Sequence, residues 1–340
     1  MGDKQLALAF KIALAFAVVA GLVLFLARML WLFNLVIIAF LIVYSISPGV
    51  DYLSRCKGMS RLGAVTIVYV SFLLLLFLLL YLVIPIIISE LRDLALHLPQ
   101  YSPYLAPYLK SLGETLSRPE IVDFALDFLQ QLPRTLQQIL NRITNFTVAV
   151  VSRLSEIAIV LFMVFYLLRD LEDIKGSVVY YLPRPWRKEA IHVLGVIDTK
   201  VGAYLRGNVA RCALVGVATG LGLYLLGMPF TLMLGVLAGV LNLIVYIGPY
   251  LAAIPALLIA LSQSPRYALI IALLYIAVQT ADAFLLTPLL LGKAVDLHPL
   301  SVIVAILIGG RLLGILGVLL AIPLAATIKV LFSYYYLQKL

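Results

Sequence analysis

Apolar residues in this chain come in long uninterrupted runs, unlike the alternating or one-faced patterns of soluble elements. No Asp, Glu, Lys or Arg occurs in residues 12–27, 29–50 or 62–89, nor anywhere between Arg211 and Arg266. A helix needs about 20 apolar residues to cross the hydrocarbon of a bilayer. The first three runs therefore predict one membrane span each, and the last predicts two or more. A fourth N-terminal span is expected at about 146–168. Spans 1 and 2 form a tight hairpin near Arg28. The first run has the outline of a secretory signal, but no small-residue cleavage pattern precedes Arg28 and a second apolar run follows at once, so it reads as a retained span.

The least apolar stretch lies between spans 3 and 4. It opens with PQYSPYLAPY and continues with Ile121, Phe124, Phe128, Leu132, Leu136, Ile139 and Ile143 at steps of three and four, which is one face of a helix. Ser117 and Pro119 suit the start of that helix, and Pro133 kinks or breaks it. Such a face packs on neighbouring helices, lies at the membrane interface, or contacts another subunit.

Composition agrees with the pattern. Hydrophobic residues make up 64% of the 340 and charged residues only 12%, against roughly 45–50% and about 25% in soluble domains. The fold class expected is an all-α polytopic membrane protein with about eight hydrophobic segments. The net charge of +9 would suggest nucleic acid in a soluble protein, but its distribution indicates orientation instead. Residues 1–61 carry six Lys/Arg against two acids and 147–206 eight against six, whereas 62–146 carry five against six. The positive-inside rule puts Arg55, Lys57, Arg61, the 169–206 segment and both termini in the cytoplasm of an inner-membrane protein. In YYLPRPWRK, Trp186 and two tyrosines beside Arg184, Arg187 and Lys188 have the make-up of an interfacial anchor. Cys56 and Cys212 have no framework or metal-ligand spacing and read as ordinary thiols.

Two segments of the last third, 229–261 and 299–331, share a layout. Each opens on proline (Pro229, Pro299), has a glycine ten residues later (Gly239, Gly309), another near nineteen (Gly248, Gly317), then Ala-Ile-Pro ending at Pro255 or Pro323. An ordinary helix precedes each, at 207–227 or 268–291. Glycine and proline interrupt both segments at mid-length, expected at Gly248-Pro249 and Gly309-Gly310. Freed backbone at such a break is tolerated only against protein or a water-filled cavity, and paired breaks in two repeats point to a transport site. Re-entrant hairpins would make the second unit an inverted copy of the first, whereas full spans would make it parallel; mid-length breaks favour hairpins.

Ionisable residues within apolar helices are functional candidates by default. Asp282 lies mid-helix, one turn from Gln279 and shortly before Thr287-Pro288, and Arg311 adjoins Gly309-Gly310. The two could form a structural ion pair; alternatively Asp282 binds a coupling proton or cation. Asn242, Tyr246, Gly248 and Pro249 offer amide, phenol and backbone groups to a small polar solute, although a membrane Asn more often bonds a neighbouring helix. Arg206, Gly207 and Asn208 are expected to start the helix that opens the first repeat. Arg153 and Glu156 form a local interfacial pair. The histidines, His97, His192 and His298, fall in expected loops or interfaces, and no HExxH, Walker A, GxGxxG or nucleophile elbow is present. No enzyme activity, cofactor, metal or nucleic-acid partner is expected.

The stretches LNLIVYIGPYLAAIPALL, QTADAFLLTP, GKAVDLHPL and IGGRLLGILGVLLAIPLAA, with YLRGN at 204–208, resemble the autoinducer-2 exporter (AI-2E) family of membrane proteins. The likeness is strongest over about 200–332, and SPGVDYL after span 2 agrees in layout. The resemblance implies a permease-like homo-oligomer, with a pentamer suspected, and members linked to export of the quorum-sensing molecule autoinducer-2 or to sodium/proton antiport. Val245 stands where the family often has proline, Asn208 replaces the usual Gln, Asp282 the usual Glu, and Phe284 a frequent Asn. An acid kept at 282 supports a role for its carboxylate.

The expected organisation is membrane spans over 1–90, an amphipathic extracytoplasmic region over 91–145, span 4 with a cytoplasmic interfacial linker over 146–206, and a repeated transport core over 207–340. The expected function is secondary export of a small polar solute, autoinducer-2-like by resemblance, with proton or cation coupling. The alternatives are a sodium/proton antiporter and a non-transporting oligomeric scaffold.

Overall fold

The computed structural model describes residues 29–56, 59–116, 153–244, 247–292 and 297–337, with isolated helical positions between 127 and 141. Span 1, the amphipathic face from Ile121 to Ile143 with its Ser117-Pro119 start, Val245 and Tyr246 lie outside the described residues. Among those described, every regular element is a helix.

Helix α1, Leu30–Ser54, is the expected second span. Helix α2, Arg61–Leu116, is far longer than span 3 required and runs on through the Pro/Tyr-rich passage. Pro85, Pro99, Pro103 and Pro107 lie within it. Each proline costs one backbone hydrogen bond and can bend the helix without ending it. The most apolar part of α2 turns outward, with Phe77 and Tyr81 about two-thirds exposed and no buried position in that window. Such a surface is suited to lipid or another subunit.

Helix α3, Leu154–Tyr181, continues past the expected end of span 4. The polar residues after Leu168 are good helix formers, and the helix stops only where Leu182 turns extended before Pro183. The Arg187 guanidinium donates to the Tyr180 and Leu182 carbonyls at 2.7 and 3.1 Å, satisfying groups that a helix C-terminus leaves free. Trp186 and Tyr181 are exposed beside it. Arg153 and Glu156 form the expected pair at 3.5 Å.

After a short 3-10 turn, helix α4 runs from Arg187 to Leu225 without interruption. This corrects the expectation of a helix start at Arg206–Asn208. The change from polar to apolar sequence there marks a change of surroundings and not an end of helix; Gly207 and Asn208 are buried mid-helix.

Each long repeated segment is a helical hairpin. The first consists of α5, Thr231–Leu241, and α6, Gly248–Gln263. Helix α7, Pro265–Ala281, follows; a π-helical stretch, Asp282–Leu286, joins it to α8, Thr287–Leu291. The second hairpin consists of α9, Pro299–Leu313, and α10, Ile315–Leu337. The first turns at about the expected position, since Gly248-Pro249 starts its second arm. The second does not turn at Gly309-Gly310, which stay helical inside α9; its turn is at Gly314, with φ +61°. Gly314 alone adopts the left-handed backbone there, which glycine enters without a Cβ penalty. Gly309 instead admits the Gly317 carbonyl of the other arm, as Gly248 does that of Leu241.

Three buried clusters organise the packing. Leu35, Ala39 and Val43 of α1 meet Ala64 and Val65 of α2 and Val160 and Val164 of α3. Leu91 and Leu94 of α2 and Leu223 of α4 meet both arms of the first hairpin and Ile271 and Tyr275 of α7. Val201, Tyr204 and Leu205 of α4 meet Leu291, Val302 and Ile322, around the second hairpin. Helix α4 thus serves one hairpin with its first half and the other with its second. Gly216 and Gly220 of α4 face Gly235 and Gly239 of α5, where any Cβ would meet backbone; paired small-xxx-small motifs let membrane helices approach this closely.

Candidate functional site

Between the two halves of α4, Arg211 is buried and pairs with Asp282, Nη1 to Oδ2 at 2.7 Å. The same guanidinium donates to the Asn242 carbonyl at 2.9 Å and, through Nη2 and Nε, to Asn208 Oδ1 at 3.1 and 3.3 Å. Asn242 ends α5, at the tip of the first hairpin, and its Nδ2 reaches Asp282 Oδ2 at 3.4 Å. Arg211, Asp282, Asn208 and Asn242 are each less than a tenth exposed. Taking two charges out of water costs several kcal/mol per ion, so a buried pair persists only with good geometry and further hydrogen bonds.

Two features mark this pair as more than packing. Asp282 Oδ1 is buried and has no partner among the described residues, although a buried carboxylate normally fills both oxygens. Asp282 is also the first residue of the π-helical stretch, a distortion that occurs frequently at functional sites. Gly207 completes the frame: its missing Cβ admits the Leu290 carbonyl, so that α8 closes directly onto α4.

Of the residues expected from sequence, the structure brings together Asn242 and Asp282, with Gly248 and Pro249 across the hairpin turn. Gln279 is half-buried one turn before Asp282 and accepts the Asp282 amide on its backbone carbonyl. The expected Asp282–Arg311 pair is not formed. Arg311 is exposed in the last turn of α9, where a cation is favoured by the helix dipole. Its place is taken by Arg211. Sequence reasoning used Arg211 only as the border of an apolar run, although Asn208, Arg211 and Cys212 at helical spacing were a usable signal.

A cavity of about 650 Å3 lies beside the network, between α2, α4 and α5. Its walls are apolar, from Leu79 and Val83 to the Gly216–Gly235 contact. It ends on Cys212 and Leu243, neighbours in sequence of Arg211 and Asn242. Within the described residues no cluster of His, Cys, Asp or Glu could hold a metal ion.

Comparison with known proteins places this arrangement. The family described as AI-2E family transporter matches residues 8–337. The chain belongs to that family. Among its relatives, "Putative transport protein YrrI" of Bacillus subtilis (strain 168) is 37% identical over 174 residues, 51% of this chain and 49% of the relative. "Putative transport protein YueF" of the same strain is 34% identical over 209 residues, 60% and 55% of the two chains. "Putative permease PerM" of Escherichia coli (strain K12) is 36% identical over 170 residues, 49% and 48%. The matched part spans about half the length of these relatives. The AI-2E chain described here is accordingly a multi-pass, helical membrane protein, with four helices long and apolar enough to cross a bilayer among its described residues.

Proposed function

We propose that this protein is a secondary transporter of a small polar solute, autoinducer-2-like in chemistry, with Asp282 as the coupling carboxylate. The observation that carries the proposal is the buried Oδ1 of Asp282, without a partner among the described residues, on a carboxylate held against Arg211 at the tip of a hairpin. A proton or monovalent cation at Asp282 weakens its hold on Arg211 and Asn242. The hairpin tip is then free to move, and the side-chain amides of Asn208 and Asn242, released from Arg211 and Asp282, become available to the solute. Arg211 remains as a fixed counter-charge beside the emptied carboxylate.

Helix lengths support hairpins that enter the membrane without crossing it. At about 1.5 Å per residue, α5, α6 and α9 each fall short of the ~30 Å hydrocarbon, and so does the apolar part of α10, Leu316–Phe332. The two hairpins then enter from opposite faces, making the repeat inverted, with both termini cytoplasmic in the inner membrane. A membrane-impermeant thiol reagent applied from outside should label Arg266→Cys and spare His298→Cys in a cysteine-free background; equal labelling overturns the inverted arrangement. The outward apolar face of α2 suits a homo-oligomer interface, which a pentamer would satisfy.

The mechanism is tested in proteoliposomes. Solute uptake or efflux should respond to an imposed proton or sodium gradient, and Asp282→Asn should abolish that response in protein that still elutes as folded. A mutant that transports with an unchanged gradient response removes Asp282 from coupling. The same free oxygen favours a second reading, sodium/proton antiport, in which a sodium pulse alone moves protons without added solute.

A further inference from the structure

A second cavity, of about 630 Å3, lies between α1, α3 and α4 and reaches Arg206, two residues before Asn208 of the Asp282 network. Ligand sites in proteins commonly occupy ~300–1,000 Å3. Its wall is charged, unlike that of the apolar cavity. Tyr44 Oη donates to Asp198 Oδ1 at 2.6 Å, and Lys175 Nζ donates to Asp198 Oδ2 at 2.7 Å and to Glu172 Oε1 at 3.1 Å. Burial opposes the charge on Lys175, but Asp198 and Glu172 outweigh it and raise the lysine above its ordinary value. Lys175 therefore stays charged at neutral pH, bonded to both carboxylates.

The remaining charge on the wall is mainly positive. Arg55 and Arg61 are exposed at the edge of the cavity, Arg206 is half-buried, and Asp51 is the one further acid among the lining residues. None of the three arginines enters an ion pair among the described residues; the ion pairs there are made by Arg153, Arg169, Lys175 and Arg211. Asp170, which feels the charge of Arg61, is bonded by Arg169 at 2.6 Å. Arg206 uses one N–H on the Tyr44 carbonyl at 3.1 Å, and a guanidinium has five donors in a planar fork.

We propose that this cavity binds a phosphate-bearing anion. The lining carries four cations against three carboxylates, a surplus of one positive charge, and its three guanidinium groups keep donors outside any ion pair among the described residues; arginine recognises phosphate oxygens by paired, charge-assisted hydrogen bonds. The anion touches α1 and α2 through Arg55 and Arg61 and α4 through Arg206, so it fastens the N-terminal helices to the helix that carries Arg211. Two sources share the chemistry. A soluble phosphate ester can enter from the aqueous side. Alternatively, the headgroup of an anionic phospholipid can enter from the leaflet, as it does in basic pockets between membrane helices.

The experiment uses the full chain in nanodiscs. Glycerol 3-phosphate is titrated by calorimetry in discs of phosphatidylcholine alone, and the thermal midpoint is compared between those discs and discs containing phosphatidylglycerol. Saturable binding of the soluble probe assigns the site to a phosphate ester; stabilisation by phosphatidylglycerol alone assigns it to a lipid headgroup. In either case Arg61→Gln and Arg206→Gln should weaken the response tenfold or more, Arg61→Lys should restore part of it, and Arg266→Gln should leave it unchanged. Arg61 is exposed, so its variant keeps the test valid should Arg206→Gln fold poorly. The proposal is overturned if neither probe acts, or if Arg61→Gln responds like the parent protein.

Discussion

The two hairpins share a sequence layout and differ in what holds them. The tip of the first is fixed by polar contacts to other helices: Arg211 of α4 grips the Asn242 carbonyl, and Asp282 after α7 accepts from the Asn242 amide. The second is held near its turn by its own arms, Gly309 against Gly317, with Arg311 exposed beside them. Both units close a glycine against a carbonyl of the opposing arm, and the first has a charged latch in addition. Under the proposed mechanism this asymmetry would give the tips different jobs, the first responding to an ion at Asp282 and the second closing by packing. The sharpest way to break the comparison is to remove the cations. Arg211→Met leaves Asp282 buried without its counter-ion and should cost about 3–5 kcal/mol, whereas Arg311→Gln should stay within about 0.5 kcal/mol, as exposed substitutions do. Chemical denaturation in detergent measures both; equal losses would mean that Arg311 also has a buried partner.

A smaller effect is expected from the glycines that the two units share. Gly248 and Gly317 occupy matching places, and a Cβ at either meets a carbonyl of the opposing arm, Leu241 or Gly309. Gly248→Ala and Gly317→Ala should each destabilise by about 1–3 kcal/mol, the range for overpacking. They should also separate in function. Opening the first hairpin pulls Asn242 from Arg211 and alters coupling, while opening the second loosens packing and leaves the gradient response intact.

The same contrast explains what was legible in the sequence. Long apolar runs specify membrane helices because their length is set by the bilayer, so the fold class and the repeat were readable directly. Asp282 and Asn242 stood out because polar groups in such helices need a partner. The partner itself was misassigned. Arg311 is close to Asp282 in sequence and beside conspicuous glycines, yet Arg211 reaches it from a helix 71 positions away. Sequence separation carries no information about which helices touch, and an arginine at the edge of an apolar run looks like an end. The helix boundaries failed for a related reason. Polar residues in α3 and α4 mark where the surroundings change, and helices continue across that change because their hydrogen bonds are internal.

The smallest predicted effect concerns the bases of the hairpins. Helix α5 begins after Phe230, a non-glycine residue in the left-handed region at φ 61°, and its N-cap side chain makes no capping bond. Glu90 of α2 supplies the missing acceptor, taking the Met233 amide at 2.7 Å. The carboxylate also favours the positive end of the helix dipole. The second hairpin needs no such help, because His298 at the N-cap of α9 accepts the Leu300 amide at 3.3 Å through Nδ1. Glu90→Ala should therefore cost about 1 kcal/mol, the usual worth of an N-cap, and the loss should be local. Amide exchange should rise at Met233 and its neighbours in α5 while α9 keeps its protection. Unchanged exchange in α5 would mean that the hairpin is seated by Leu91 and Leu94 packing alone, and that α2 holds the first unit through its apolar face.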